Sequence, residues 1–236
     1  MKTNNTHTLN IIFLAGAGGV GKTSVAKELK DQATTLGLKA GIVKSTTRQT
    51  YARLNIGTES DAQYLTDDQK LTLQEAILED YCRNLQDEVT LATVEGLDVL
   101  VVDRTPYDHL SYRMVLLPKL TLEYIETVLE TLKVFSTELL RPRLLSITTQ
   151  EYVKIKSSVW FFSYPTSWAK SGAANDGWRY APGARNYVWS ACLDNLLKEY
   201  GGHLITTGLQ GFFPYDRTPI KERAIKILTR QSLLKR

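Results

Sequence analysis

The segment Gly16-Ala17-Gly18-Gly19-Val20-Gly21-Lys22-Thr23 matches G-x-x-x-x-G-K-[ST] at every position. It constrains the fold because it works only with a strand before it and a helix after it. Glycines let successive peptide N–H groups curl around phosphate oxygens, where a side chain would block the approach. A helix that starts at the end of the turn adds about half a positive charge at the same place. Both flanks fit. Asn10 to Ala15 is apolar and reads as a buried strand. Lys22 to about Leu36 carries Val25, Leu29, Ala33 and Leu36 on one helical face. Lys22 is then placed to reach the β- and γ-phosphates of a nucleotide, and the Thr23 hydroxyl to hold Mg²⁺.

The same residues satisfy G-x-G-x-x-G, the dinucleotide fingerprint. That motif asks for an acidic residue about 20 positions on, near the end of the second strand. Here the region reads Val43-Lys44-Ser45, and a dinucleotide would leave the Lys22-Thr23 pair unexplained. The phosphate cradle is the better reading.

Strand and helix patterns alternate along the rest of the chain. Lys39–Val43 and Asp98–Asp103 read as strands, with a helical stretch from Asp61 to about Leu91 between them. Tyr107 to Leu139 is helical with a break at Pro118, and Ser157–Phe162 is the next strand. Asn186–Tyr200 reads as a helix, His203–Thr206 as a fifth strand, and a helix from about Pro219 closes the chain. This order implies an α/β fold with five parallel strands and helices on both faces, in a single domain spanning 1–236. With 43% hydrophobic and 23% charged residues in 236, a disordered chain is excluded. No apolar run approaches the ~18 residues of a membrane span. A polar N-terminus and only two cysteines, Cys82 and Cys192, suggest a reducing, cytoplasmic setting. Three scattered histidines, His7, His109 and His203, suggest no zinc site. His109 reads as a packed or surface residue.

Asp103 ends an apolar strand, where a phosphate-cradle protein places its Mg²⁺-holding carboxylate, and Arg104 follows it. Neither Asn-Lys-x-Asp nor Asp-x-x-Gly is present, so a GTPase is not indicated. No second carboxylate follows Asp103 to orient a water. The Asp-Arg pair favours transfer to an acceptor over transfer to water, with Asp103 either holding metal or taking the acceptor's proton. Thr46 to Tyr51 should lie at the C-terminal edge of the sheet, where open α/β folds bind ligands. Arg48 there is a candidate for holding the acceptor, with Tyr51 packing on a ring. Asp108 is a candidate for orienting an acceptor hydroxyl, or else a helix cap.

The cradle, Asp103-Arg104-Thr105-Pro106-Tyr107-Asp108-His109-Leu110 and the later Asn175-Asp176-Gly177-Trp178-Arg179 together resemble the nucleoside and nucleotide kinase superfamily. The likeness is strongest to the AAA-type group that contains the ribosylnicotinamide kinase domain, and thymidylate kinases share the Asp-Arg pair. It runs over roughly residues 9 to 230. The resemblance implies a three-layer sandwich, ATP as donor, Mg²⁺ as cofactor and a nucleoside or nucleotide as acceptor. It also implies a mobile lid at about 165–185, offering Lys170, Arg179 and Arg185. Arg179 is the first candidate for the transition-state cation and Arg185 the second, with Trp178 stacking on a base or anchoring the closed lid. The loop after the fifth strand, with Phe213 or Pro214, is expected to pack on adenine.

The formal net charge is +4, yet Arg217 to Arg236 holds seven cations against the single carboxylate Glu222. Such a basic helix is either a solvated face or a contact for nucleic acid. Three functional readings therefore stand: a phosphotransferase for small molecules, a kinase acting on a hydroxyl within DNA or RNA, and an ATP-binding switch without an acceptor. No membrane partner is expected. The oligomeric state is open, a homodimer being one option.

Overall fold

The computed structural model of the chain describes residues 7–117, 119–146, 151–165, 183–207, 210–213 and 218–233. β1 (His7–Gly16) is the centre of the sheet, buried from Ile11 to Gly16. On one side it pairs in parallel with β3 (Val99–Asp103), which pairs in turn with β2 (Ala40–Val43). On the other side β1 pairs in parallel with β5 (Glu151–Phe162) over its whole length. Strands covered on both faces need continuous apolar sequence, which β1 and β3 supply.

Three features depart from the expected sheet of five parallel strands. Five strands do run in parallel, but a sixth, β4 (Arg143–Ser146), pairs antiparallel with the start of β5. β5 is also longer than its apolar stretch. Val153 and Ile155 are buried while Tyr152, Lys154 and Lys156 are not, an alternation of period two that a search for continuous apolar runs passes over. The last strand, β6 (Gln210–Phe213), pairs with the end of β5 and lies beyond the expected His203–Thr206. That earlier segment is a short 3₁₀ turn (Gly201–Leu204), after which Thr206 hydrogen-bonds Ser157 through its backbone N–H and its hydroxyl.

α1 (Lys22–Thr35) packs on β1, β2 and β3 and on the final helix α8 (Ile220–Arg230). α4 (Asp67–Val94), α5 (Pro106–Leu116), α6 (Leu122–Leu139) and α7 (Gly183–Tyr200) form a second group, α5 touching the other three. The helix expected from Asp61 is in fact two. α3 (Glu59–Ala62) is started by a Thr58/Asp61 capping box, and α4 restarts at a Thr66/Gln69 capping box. α2 (Thr47–Arg53) and α3 rest on a small core of their own, formed by Tyr51, Ala62, Leu73 and Ile77. No helix among the described residues is long and apolar enough to cross a membrane.

α8 accounts for much of the basic C-terminal charge. Arg223 lies over the Phe162 ring (6.0 Å), Lys226 over Phe213 (5.2 Å) and Arg230 over Trp160 (5.8 Å). Cations held against ring faces serve packing as well as solvation. Phe213 itself is 2% exposed and stacks on Phe162, so the expectation that it packs on adenine is not met. Pro214 lies outside the described residues.

Candidate active site

The parallel register sets the site. β1 and β3 pair Leu14 with Asp103, so β3 ends beside the start of the cradle. Gly16 has φ +146°, and a Cβ there would meet the Phe162 carbonyl oxygen at 2.6 Å. Only glycine fits this crossing of β1 and β5. Gly19 and Gly21 also sit at positive φ, Gly21 as the N-cap of α1. α1 has no side-chain cap and no acidic residue in its first turn, so its N-terminal N–H groups face the loop unneutralised. Lys22 is buried and curls back, donating through Nζ to the carbonyls of Gly16 and Ala17. Ala17 and Val20 are buried in the core, anchoring the turn from below.

Thr23 Oγ1 donates to Asp103 Oδ2 at 2.6 Å. This contact joins the two residues expected at a metal site, from the cradle and from the end of β3. Arg104 holds φ +105°, a strained conformation for a residue with a side chain. Its N–H donates to the Leu14 carbonyl, its own carbonyl accepts from Tyr81 Oη (2.8 Å), and its guanidinium lies 5.2 Å from the Trp189 ring centroid. These contacts turn the side chain over the cavity.

One cavity, of about 330 Å³, is lined by the cradle (Gly18, Gly19, Gly21, Lys22, Thr23, Ser24), by Asp103 and Arg104, and by Arg48, Tyr51, Glu59, Gln74, Ile77, His109, Tyr112, Asn186 and Trp189. Its size is that of a small-molecule site. Arg48, Tyr51 and Arg104 are thus brought together with the cradle, as expected. Tyr112 Oη donates to Glu59 Oε1 at 2.6 Å, tying α5 to α3. Burial, reinforced by the Glu59 carboxylate, raises the pKa values of both Tyr51 and Tyr112, so both stay protonated donors.

Asp108 is a correction. It is fully buried and outside the cavity, with Oδ1 accepting from Gly16 N–H (3.0 Å) and Oδ2 from the N–H and hydroxyl of Thr105. It closes the capping box of α5, the alternative role expected for it, and pins the cradle's first residue, away from the cavity lining. Burial raises its pKa, against the pull of Lys22, Arg104 and the backbone donors. Arg185 is in the first turn of α7 outside the cavity lining, its charge acting on Tyr112. Trp178, Arg179, Lys170 and most of the expected lid lie outside the described residues.

Sequence reasoning missed Glu59, Gln74, Tyr112 and Asn186, and treated Trp189 and His109 as packing residues. One signal was available. Gln74 shares a helical face with Ile77 and Tyr81, and a polar side chain on an apolar stripe marks either a satisfied core group or a site. Among the described residues no group of histidine, cysteine and carboxylate forms a further metal cluster.

No protein-family model matches the chain, and no curated protein matches it. Solved structures do. A deoxyadenosine kinase from M. mycoides, solved with bound dATP, aligns over 94% of this chain and 99% of its own with a TM-score of 0.54 at 15% identity. The likeness shows the fold alone: an α/β architecture built on a predominantly parallel sheet.

Proposed function

We propose that the chain is an ATP- and Mg²⁺-dependent phosphotransferase acting on a nucleoside, a nucleotide or a nucleoside-like small molecule. The observation that carries this reading is the continuity of the cavity. The cradle and the Thr23–Asp103 pair share one cavity with Arg48, Tyr51, Gln74, Tyr112 and Trp189, which stand outside the phosphate-binding turn. A protein that only hydrolyses or senses ATP has no need of those further lining residues. The fold shared with a deoxyadenosine kinase supports the same reading.

In this scheme the backbone N–H groups of Gly18, Gly19 and Gly21, the N-terminus of α1 and Lys22 hold the triphosphate. Lys22 exchanges its contacts with the loop carbonyls for phosphate oxygens. Thr23 Oγ1 and Asp103 Oδ2 are hard oxygen donors that suit magnesium, and the bond between them favours a metal-side role for Asp103 over that of a general base. When bound, Mg²⁺ supplies charge neutralisation across the β- and γ-phosphate oxygens. Arg104, turned over the cavity by its strained backbone, steadies the transferring group. Arg48 and Tyr51 position the acceptor. Arg179, and after it Arg185, are the proposed cations for the transition state. The transition state is loose and needs little proton abstraction, so position and field carry most of the rate.

The test is transfer of labelled phosphate from ATP to a panel of nucleosides and monophosphates, with mass spectrometry locating the product. Wild type should label at least one acceptor, and Lys22→Ala should lower turnover by about 10²–10³. Wild-type turnover in Lys22→Ala, or ATP hydrolysis indifferent to every acceptor, defeats the proposal.

A further inference from the structure

Asp103 and Arg104 are neighbours in the chain, yet both line the cavity. An extended backbone sends successive side chains to opposite faces. The positive φ of Arg104 (+105°) breaks that alternation and brings both residues to one site. A residue with a side chain keeps such a conformation only where its surroundings hold it. The two peptide groups that flank Arg104 are both held. On one side the Arg104 N–H donates to the Leu14 carbonyl at 3.0 Å. On the other, the Thr105 N–H donates to Asp108 Oδ2 at 2.7 Å, and the Arg104 carbonyl accepts from Tyr81 Oη at 2.8 Å. Tyr81 comes from α4, is 0% exposed and does not line the cavity. Whatever it does for the site, it does through its neighbours.

We propose that Tyr81 is a positioning residue for Arg104: its hydroxyl fixes the carbonyl end of the peptide after Arg104 and so holds the guanidinium over the cavity. This rests on the phosphotransferase reading, in which Arg104 steadies the transferring group. The geometry beyond that one bond agrees. The phenol ring is set by its packing on His109, with centroids 4.6 Å apart. Burial raises its pKa well above the usual 10, so the hydroxyl stays a donor. At the other end of the arginine, the guanidinium lies over the Trp189 ring. The Trp189 indole N–H is itself held, by the Asp108 carbonyl (3.2 Å) and the Ser111 hydroxyl (2.9 Å). Arg104 is thus gripped at its backbone by α4 and at its head by α7, two helices far apart in sequence. The bland account of the Tyr81 bond is that it satisfies a buried phenol and a buried carbonyl. That account predicts the same cost of losing the hydroxyl whatever residue stands at position 104. Positioning predicts a cost that depends on the arginine.

The experiment is a double-mutant cycle on phosphate transfer, run beside NMR of the arginine Nε–H signals. Tyr81→Phe keeps the ring against His109 and removes the hydroxyl. Turnover should fall about tenfold, part of the ~10²-fold that a misplacement of about 1 Å can cost, with KM for ATP within about twofold. In an Arg104→Ala background the same change should alter turnover by less than about twofold. The Nε–H signal of Arg104 is assigned by its loss in Arg104→Ala. Displaced in wild type by the Trp189 ring current, it should move toward the ordinary arginine position in Tyr81→Phe. Equal losses of turnover in the two backgrounds, full turnover in Tyr81→Phe, or an unmoved Arg104 signal overturns the proposal. Wild type that transfers no phosphate overturns the kinase reading alone, and the Arg104 signal then decides the positioning by itself.

Discussion

At Asp108 a single carboxylate organises two structures at once. One oxygen holds the N–H of Gly16, and the other starts α5, so the cradle and the helix bearing His109 and Tyr112 are fixed to each other. A charged-looking residue five positions after Asp103 invites a catalytic reading, and nothing in the linear sequence says that a glycine 92 positions away will take its oxygen. His109 carries the pH dependence. Lys22, Arg104 and Arg113 surround it, Tyr81 packs on its ring, and burial keeps its folded-state pKa well below the usual 6.5. The unfolded chain binds a proton below about pH 6.5 that the folded state refuses, so this residue's contribution to stability is lost as pH falls from there. The expected slope is up to about 1.4 kcal/mol per pH unit. Urea denaturation from pH 7 down to pH 5 should show His109→Phe losing less stability than wild type. Parallel pH profiles for the two would count against a buried neutral imidazole.

Among the elements, α2 and α3 stand apart. Their small core is separate from the main one, and their tie to α5 is the Tyr112–Glu59 hydrogen bond. α2 also reaches α4 through Arg53 and Thr50, both on Asp80. Segments with little buried apolar area open more easily. Hydrogen exchange should therefore be faster in residues 47–62 than in β1 or β3, and faster still in Tyr112→Phe. A bound nucleoside should slow it. Equal protection of α2 and β1 would contradict the idea that this side of the cavity adjusts to the acceptor. α8 teaches a different lesson. Its cations read as a surface charge run, but Arg223, Lys226 and Arg230 lie over rings contributed by β5 and β6.

For the molecule as a whole, the site is assembled where parallel strands end together, and no element carries it alone. Nucleotide binding should therefore stabilise the entire fold. With ATP and Mg²⁺ at a hundred times Kd, the gain is about 2.7 kcal/mol, visible as a rise in Tm that Lys22→Ala should abolish. A Tm indifferent to nucleotide would mean that the cradle does not bind it. The cradle was legible beforehand because it is contiguous: eight residues in a row, a strand before, a helix after, and an Asp closing the next apolar strand. Arg48 and Tyr51 were legible because loops after parallel strands face the ligand edge. The antiparallel β4 was not, because its few residues show no pattern until β5 lies beside them.

What the amino-acid sequence determined by itself is therefore local: the glycines that need positive φ, the lysine and threonine placed by helix geometry, and the alternation that makes the sheet parallel. What only the tertiary structure decided is which distant side chains meet. Glu59 finds Tyr112, Asp108 turns to Gly16, and the Arg104 guanidinium comes to lie over Trp189. The physical reason is that hydrogen bonds between buried groups depend on the packing of helices from separate parts of the chain, and that packing has no signature at the spacing of a motif.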